Sequence, residues 1–532
     1  MSDLDTVSLN ALSLGAHITG RLEKESDIAL FQGIPYATVN KRWTHSETRH
    51  SLDKDFDATK HGYRCSQPNR TVLVTGGTPD PSPGDDEFRC LNLNIAVPTT
   101  ALNNTTSKPL PVLVWIHGGG FAFGANSVAR YRPQALLNHA RENGTPVILV
   151  SINYRLGHIG FAASQDLDDE LDGGSRSHPV GSFGLIDQRN GLEWVNKHIA
   201  DFGGDPSNIT AFGVSAGSMS IHLHLVAGHN LFDRAILMSG SGPILSPLQK
   251  DLFQREWDRL CQRTGVQAST SSDRLAQLRA LSVQDILNNT GSAAMGPVAD
   301  GKLLSLGWKY EDSVTDTRCK EIILGDTSVE GIIFDGRLKK LPQALFHKRI
   351  DEAFSPQVAG ELYARFGFTR EPQSEEDFRK AFRLFIGNTL FNYHNVGIAN
   401  ASINSDVWRD HVYLYHWDEP SPFPGPAQGL SYHGLCAILM HLNELSNCPP
   451  ETQKVALESA KIWAAFAHGK QPWEPYSQSR KFMRFGPLGE SSLQSFASDT
   501  ARDYGFQDWL GAHIYEVGPF VRNLIVNLEI DD

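Results

Sequence analysis

Residues 211–220 read AFGVSAGSMS, a serine framed by two glycines, each two positions away. Glycine at that spacing marks backbone that turns too sharply for a Cβ, or another segment that passes close by. The apolar NITAF at 208–212 and the run SMSIHLHL at 218–225 describe a strand that breaks abruptly into a helix. Ser215 is expected at the tip of that turn, in the pattern G-x-S-x-G, with the helix aiming its amide dipoles at the same point.

A second glycine-rich stretch, HGGGFAFG at 117–124, follows the strand-like PVLVWI at 111–116. Its glycines allow backbone N–H groups to point into a cleft, which is half of an oxyanion hole; the other half is the N–H of the residue after the nucleophile. The expected donors are therefore Gly119, Gly120 and Ala216. A phosphate-binding loop is the competing reading of such glycines. It fails, because the chain has neither G-x-x-x-x-G-K-[ST] nor a G-x-G-x-x-G at a strand–helix junction with a following ribose acid.

Around these two stretches the pattern is that of an α/β protein. Short β-rich runs fill the first 150 residues: AHITGRL, ALFQGIPYA, LNLNIAVP, PVLVWI and PVILVSI. Strand–helix alternation follows, with Leu185, Leu192, Val195 and Ile199 at helical spacing in GLIDQRNGLEWVNKHIADFG. Apolar runs without alternation imply strands covered on both faces, hence a large, mostly parallel central sheet flanked by helices. Residues 67–86 and 164–182 lack a clear period and are expected as rim or lid loops. No linker divides the chain, so 1–532 reads as one domain.

Composition narrows the function. The 532 residues are 40% hydrophobic, enough for a sizeable core, and the net charge of −12 argues against a nucleic-acid surface. No apolar run reaches the length of a membrane span. The amino terminus lacks a basic start followed by an apolar stretch, so an intracellular, cytoplasmic protein is expected. The six cysteines form neither a disulfide scaffold nor a metal pattern, and His222 and His224, two apart on a helix, face different sides. No metal and no cofactor are expected.

Beyond these motifs the chain resembles the type-B carboxylesterase family, which includes cholinesterases and fungal lipases. The matching stretches are FQGIPYA (31–37), HGGGF (117–121), NYRLG (153–157), DQRNGLEWV (187–195), FGGDPSNIT (202–210), GVSAGSMS (213–220), LFDRAILMSGS (231–241) and WAAFAHGKQP (463–472). They run collinearly over nearly the whole chain. The resemblance implies the α/β-hydrolase fold and a triad in the order Ser…Glu…His. The family's G-x-x-x-x-E-G turn falls on IILGDTSVEGIIF, which gives Glu330 as the acid, with Asp326 and Asp335 as local rivals expected to be turn or surface carboxylates. Its His-Gly step falls on GLSYHGLCAILM, which gives His433 as the base, with His441 on the following helical run a poorer choice.

The same resemblance implies that Cys65 and Cys90 are neighbours that could close a rim loop by a disulfide, against the reduced state of a cytosolic thiol. The acids that the family places just before the second cysteine are here Phe88 and Arg89, with Asp85, Asp86 and Glu87 displaced upstream. The rim lacks the tryptophan, and position 214 the glutamate, with which cholinesterase-type members hold a quaternary ammonium. Phe121, Phe123 and Phe334 are expected to line an apolar pocket. The reading is a serine hydrolase of uncharged small-molecule esters. A member of the fold repurposed for acyl transfer or cyclisation is the alternative, and a non-catalytic binding protein is less favoured because all the catalytic residues are present.

Overall fold

In the computed structural model, residues 5–68, 80–102, 108–172, 180–241, 248–291, 296–304, 310, 317–338, 341–499, 502 and 504–526 are described. The valine- and isoleucine-rich runs become strands of a single 13-stranded sheet. In chain order they are β1 (Thr6–Ala11), β2 (Ala16–Glu23), β3 (Ile28–Pro35), β4 (Asp55–Ala58), β5 (Asn92–Pro98), β6 (Leu110–Ile116) and β7 (Ile148–Ile152). They continue with β8 (Gly204–Val214), β9 (Arg234–Met238), β10 (Glu321–Thr327), β11 (Val412–Trp417), β12 (Lys481–Phe485) and β13 (Ser491–Ser495). In space the order is β1-β2-β3-β5-β7-β6-β8-β9-β10-β11-β12-β13, with β4 beside β2.

The run from β7 to β12 is parallel throughout. The expectation of a mostly parallel sheet thus holds for the centre, whereas β1, β2, β3 and β5 form an antiparallel flank. Central strands show why their sequences do not alternate. Val112, Val114 and Ile116 pack on one face, in the cluster that contains Leu192 and Val195 of the helix Phe183–His198. Leu113 and Trp115 pack on the other, with Leu136 of Gln134–Glu142 and Trp463 of Pro450–Ala467. Helices cover both faces, so every residue of the strand must be apolar.

Of the two expected loops, residues 69–79 and 173–179 lie outside the described residues, and Gln165–Asp172 is a helix rather than a loop. Its acidic turn carries Asp166, which takes Arg274 and the Trp257 indole from a neighbouring helix, so tertiary pairing overrides a weak local pattern. No helix among the described residues is long and apolar enough to cross a membrane.

Two of the motifs that recur in the resemblance meet in the core. Arg155 of NYRLG forks onto Asp187 of DQRNGLEWV, with two contacts of 2.8 Å, and both side chains are almost fully buried. Ser46 and the Arg155 N–H complete the carboxylate's hydrogen bonds.

The core also holds neutral histidines. Burial pushes His117, His158 and His441 down to about 4 and His222 and His394 down to about 3, from an ordinary 6.5. His441, the second choice for the base, is one of these: it lies among Trp115, Tyr131 and Phe212 and bonds to its own helix at Ala437. Because the folded values lie below the unfolded one, the unfolded chain takes up protons first as the pH falls. Their contribution to stability is complete above pH 6.5 and is lost as the pH drops toward 4. We expect the unfolding free energy from urea titration to fall over that range with a slope of up to about 1.4 kcal/mol per pH unit for each such histidine. A flat profile between pH 6.5 and 4.5 would contradict their burial as neutral rings.

Candidate active site

Strand β8 ends at Val214, Ser215 adopts φ 56° and ψ −125°, and a helix begins at Ala216. A non-glycine residue in that region is strained, and the surroundings show what holds it there. A Cβ on Gly217 would lie 2.0 Å from the carbonyl oxygen of Ile116, and one on Gly213 only 2.8 Å from Gly217. This answers why glycine stands on both sides of the serine: the end of β6 passes against the turn. Gly118 and Gly240 close in from two further sides, the first against the Val214 carbonyl and the second against that of Ser215. Ser215 N–H donates to Met238 at 2.9 Å, and the Ser215 carbonyl accepts from Met219 at 2.8 Å.

The glycine-rich stretch leaves β6 and folds back on itself. Gly119 and Gly120 have φ of 119° and 60°, and the Gly119 carbonyl accepts from Ala122 and Phe123. The N–H groups of Gly119, Gly120 and Ala216 donate to no protein acceptor among the described residues. His117 stacks on Tyr154, whose hydroxyl donates to the His117 carbonyl at 2.9 Å, and this fixes the start of the loop.

Glu330 opens a 3-10 turn after β10, and Gly331 follows because a Cβ there would lie 2.2 Å from the Arg383 carbonyl. The Glu330 carboxylate is 3% exposed; Oε1 accepts from Thr327 N–H at 2.7 Å, and Oε2 is hydrogen-bonded to His433 Nδ1. The two loops are tied through the backbone as well, by a bridge between Val329 and Tyr432 and by Val329 N–H donating to Ser431. His433 Nε2 is buried and has no hydrogen-bond partner among the described residues. Gly434 has φ 82°, and its neighbours Tyr432 and Leu435 share an apolar cluster with Val214, the residue before the serine.

The rivals are engaged elsewhere. Asp326 is no surface carboxylate: it is fully buried and bound by His416, Arg502, Asn392 and Asn395, and against the effect of burial its interactions with His416 and Arg502 hold it down at about 2. Asp335 pairs with Arg383. Of the expected pocket residues, Phe121 is 3% exposed and packs edge-on against Phe161, and Phe334 is buried in the same cluster, so both belong largely to the core. Phe123 is half-buried and folds over Gly119. The sequence reading missed Phe391, whose ring lies 5.0 Å from that of His433; it sits in a π-helical segment, Asn388–Asn392, between the helices Glu375–Gly387 and Tyr393–Ser402, and only the fold brings it to the site.

At the rim, Cys65 and Cys90 are both buried free thiols rather than a disulfide. Burial and the neighbouring Cys90 push the Cys65 thiol well up, which keeps it neutral and unreactive. The displaced acid finds its partner: Glu87 takes Arg42 in a buried fork at 2.7 Å through both oxygens.

With this geometry in hand, comparison with known proteins is informative. The Carboxylesterase family profile matches residues 8–502. Lipase 1 of Yarrowia lipolytica is 27% identical over 481 residues, 88% of each chain. The para-nitrobenzyl esterase of Bacillus subtilis is 36% identical over 230 residues, 42% of each chain. A solved PNB esterase superposes with a TM-score of 0.72 at 24% identity, covering 93% of this chain and 98% of its own, a likeness of fold.

Gly217→Ala tests the origin of the turn. The new methyl must push the Ile116 carbonyl or the helix aside, so we expect a loss of about 1–3 kcal/mol in urea unfolding. An alanine variant as stable as the parent would show that the close approach does not dictate the glycine.

Proposed function

We propose that this chain, which belongs to the carboxylesterase family and is a carboxylic ester hydrolase, cleaves uncharged esters through an acyl-enzyme on Ser215. The observation that carries this reading is the buried Glu330–His433 pair, whose remaining ring nitrogen is uncommitted and whose flanking Tyr432 and Leu435 share an apolar cluster with Val214, the residue before Ser215. In an enzyme without substrate the serine–histidine hydrogen bond is commonly long and tightens only in the complex.

In the reaction, His433 Nε2 takes the Ser215 proton as Oγ adds to the ester carbonyl. Glu330 holds the ring in the tautomer with its proton on Nδ1 and stabilises the imidazolium that forms. The N–H groups of Gly119, Gly120 and Ala216 receive the oxyanion, with no need to break other hydrogen bonds first. His433 then returns the proton to the departing alcohol. The same ring activates water, which attacks the acyl-enzyme and releases the acid.

The preference for neutral esters rests on what stands beside the nucleophile. Val214 precedes Ser215, and Phe391 faces His433; residues 66–89 contain no tryptophan and one aromatic, Phe88. A quaternary ammonium held on an aromatic face gains roughly 0.5–2 kcal/mol per ring, and none of these residues supplies that face together with a carboxylate at the nucleophile.

Two measurements test the proposal. Ser215→Ala is expected to lower kcat by about 10^4-fold or more and to abolish the fluorophosphonate mass adduct, and Glu330→Gln to lower kcat by about 10^3–10^4-fold. An alanine variant that keeps a tenth of the parent kcat would exclude Ser215 as nucleophile. Second, a neutral butyrate ester should show the higher kcat/KM when compared with butyrylcholine, with leaving groups of matched pKa at fixed ionic strength. A tenfold preference for the choline ester would refute the pocket's assignment.

A further inference from the structure

Behind the Glu330 carboxylate lies a cavity of about 10 Å3, walled in part by Thr327, Glu330, Arg383, Asn388, Asn392 and Arg502. Arg502 is a buried cation tied to three carboxylates. Its Nε donates to Asp326 at 3.2 Å, and Nη1 reaches Asp418 at 3.0 Å and Asp499 at 3.4 Å. The remaining arm, Nη2, is in ion-pair range of Asp326 but has no hydrogen-bond acceptor among the described residues. Thr327, which walls the same space, has its Oγ1 buried without a partner among the described residues.

The donor and acceptor count explains both. A guanidinium carries its N–H groups in a rigid fork, so three aspartates that fix Nε and Nη1 also fix the direction of Nη2. A carboxylate offers about four lone-pair sites, and Glu330 uses one on each oxygen, toward Thr327 N–H and His433. A buried donor on Arg502 and spare acceptor sites on Glu330 therefore belong to side chains that wall the same water-sized space, and leaving either unmatched is costly.

We propose that Arg502 is a positioning residue for the Glu330–His433 pair: its Nη2 arm, through one water shared with Thr327 Oγ1, holds the Glu330 carboxylate in the orientation that faces His433. Asp326, Asp418 and Asp499 hold Arg502 back from a direct ion pair with Glu330, so both carboxylate oxygens stay available to Thr327 N–H and His433. His416 and Tyr504 brace that anchor from behind, His416 between Asp326 and Tyr504, and Tyr504 donating to Asp499. The other cation at the cavity, Arg383, is occupied by Asp335. This inference rests on the assignment of Glu330 and His433 as acid and base.

Three variants test it, with a p-nitrophenyl butyrate assay and the rate of fluorophosphonate labelling at Ser215. Thr327→Val removes the hydroxyl while keeping the shape and the N–H bond to Glu330; we expect kcat to fall about 5-fold with KM unchanged, and labelling to slow in parallel. Thr327→Ser restores the hydroxyl and should recover most of the rate. Arg502→Lys keeps a charge but loses the fork, and should lower kcat about 10-fold. Folded Thr327→Val with the parent's kcat, or an equal loss in Thr327→Ser, overturns the proposal, and the threonine pair decides alone if Arg502→Lys does not fold. A parent enzyme that takes no label at Ser215 would instead refute the nucleophile assignment.

Discussion

The carbonyl of Ile116 runs so close to Gly217 that no side chain fits between them, and the site is organised around that approach. It follows from parallel pairing of β6 with β8, which brings the ends of both strands to the same edge of the sheet. The chain leaving β8 must then reverse into a helix within one residue, and Ser215 takes the strained conformation. Such a conformation costs about 1–3 kcal/mol and persists only where the surroundings over-determine it. Here they do: Met238, Met219, Gly118 and Gly240 fix the turn from four directions. A sheet with helices packed on both faces supplies the rigidity, so the strain is stored where Oγ must stand clear of the backbone.

The proposed acid and base pose a different problem. They come from loops 103 residues apart in sequence, each following its own strand. Pairing Val329 with Tyr432 makes the two loops one unit, and their parent strands β10 and β11 are neighbours. The charges behind them are arranged in alternation: Glu330, then Arg502, then Asp326, Asp418 and Asp499. In a poorly solvated interior a carboxylate such as Asp326 needs a paired cation, and Arg502 supplies it.

How much of this was legible follows from the kind of constraint involved. Where backbone meets backbone, only glycine fits, and glycine is visible in a sequence: positions 118, 119, 213, 217 and 331 all lie inside the motifs that marked the site. The covered strands were legible for a related reason, since both faces of β6 and β7 demand apolar residues. The antiparallel flank was not separable from the parallel centre, because its strands read as equally β-rich. Phe391 and Arg502 left no signal, as each reaches the site through packing across long sequence distances. Asp326 misled in the other direction: a carboxylate in a G-D-T turn looks exposed, and only its partners, Arg502 and His416, explain its burial.

This split between backbone and side chain also bears on substrate choice. The proposed oxyanion donors are N–H groups, set by φ at Gly119 and Gly120 and by the start of a helix at Ala216, so they would act alike on any ester whatever its side groups. Selectivity must then come from side chains that the geometry does not dictate. Val214 and Phe391, which stand next to Ser215 and His433, are apolar and buried. An apolar wall excludes water and strengthens the field of the N–H dipoles on the oxyanion. It offers nothing, however, to replace the hydration of a charged substrate group. The same feature that favours the transition state of a neutral ester therefore disfavours the ground-state binding of an ionic one.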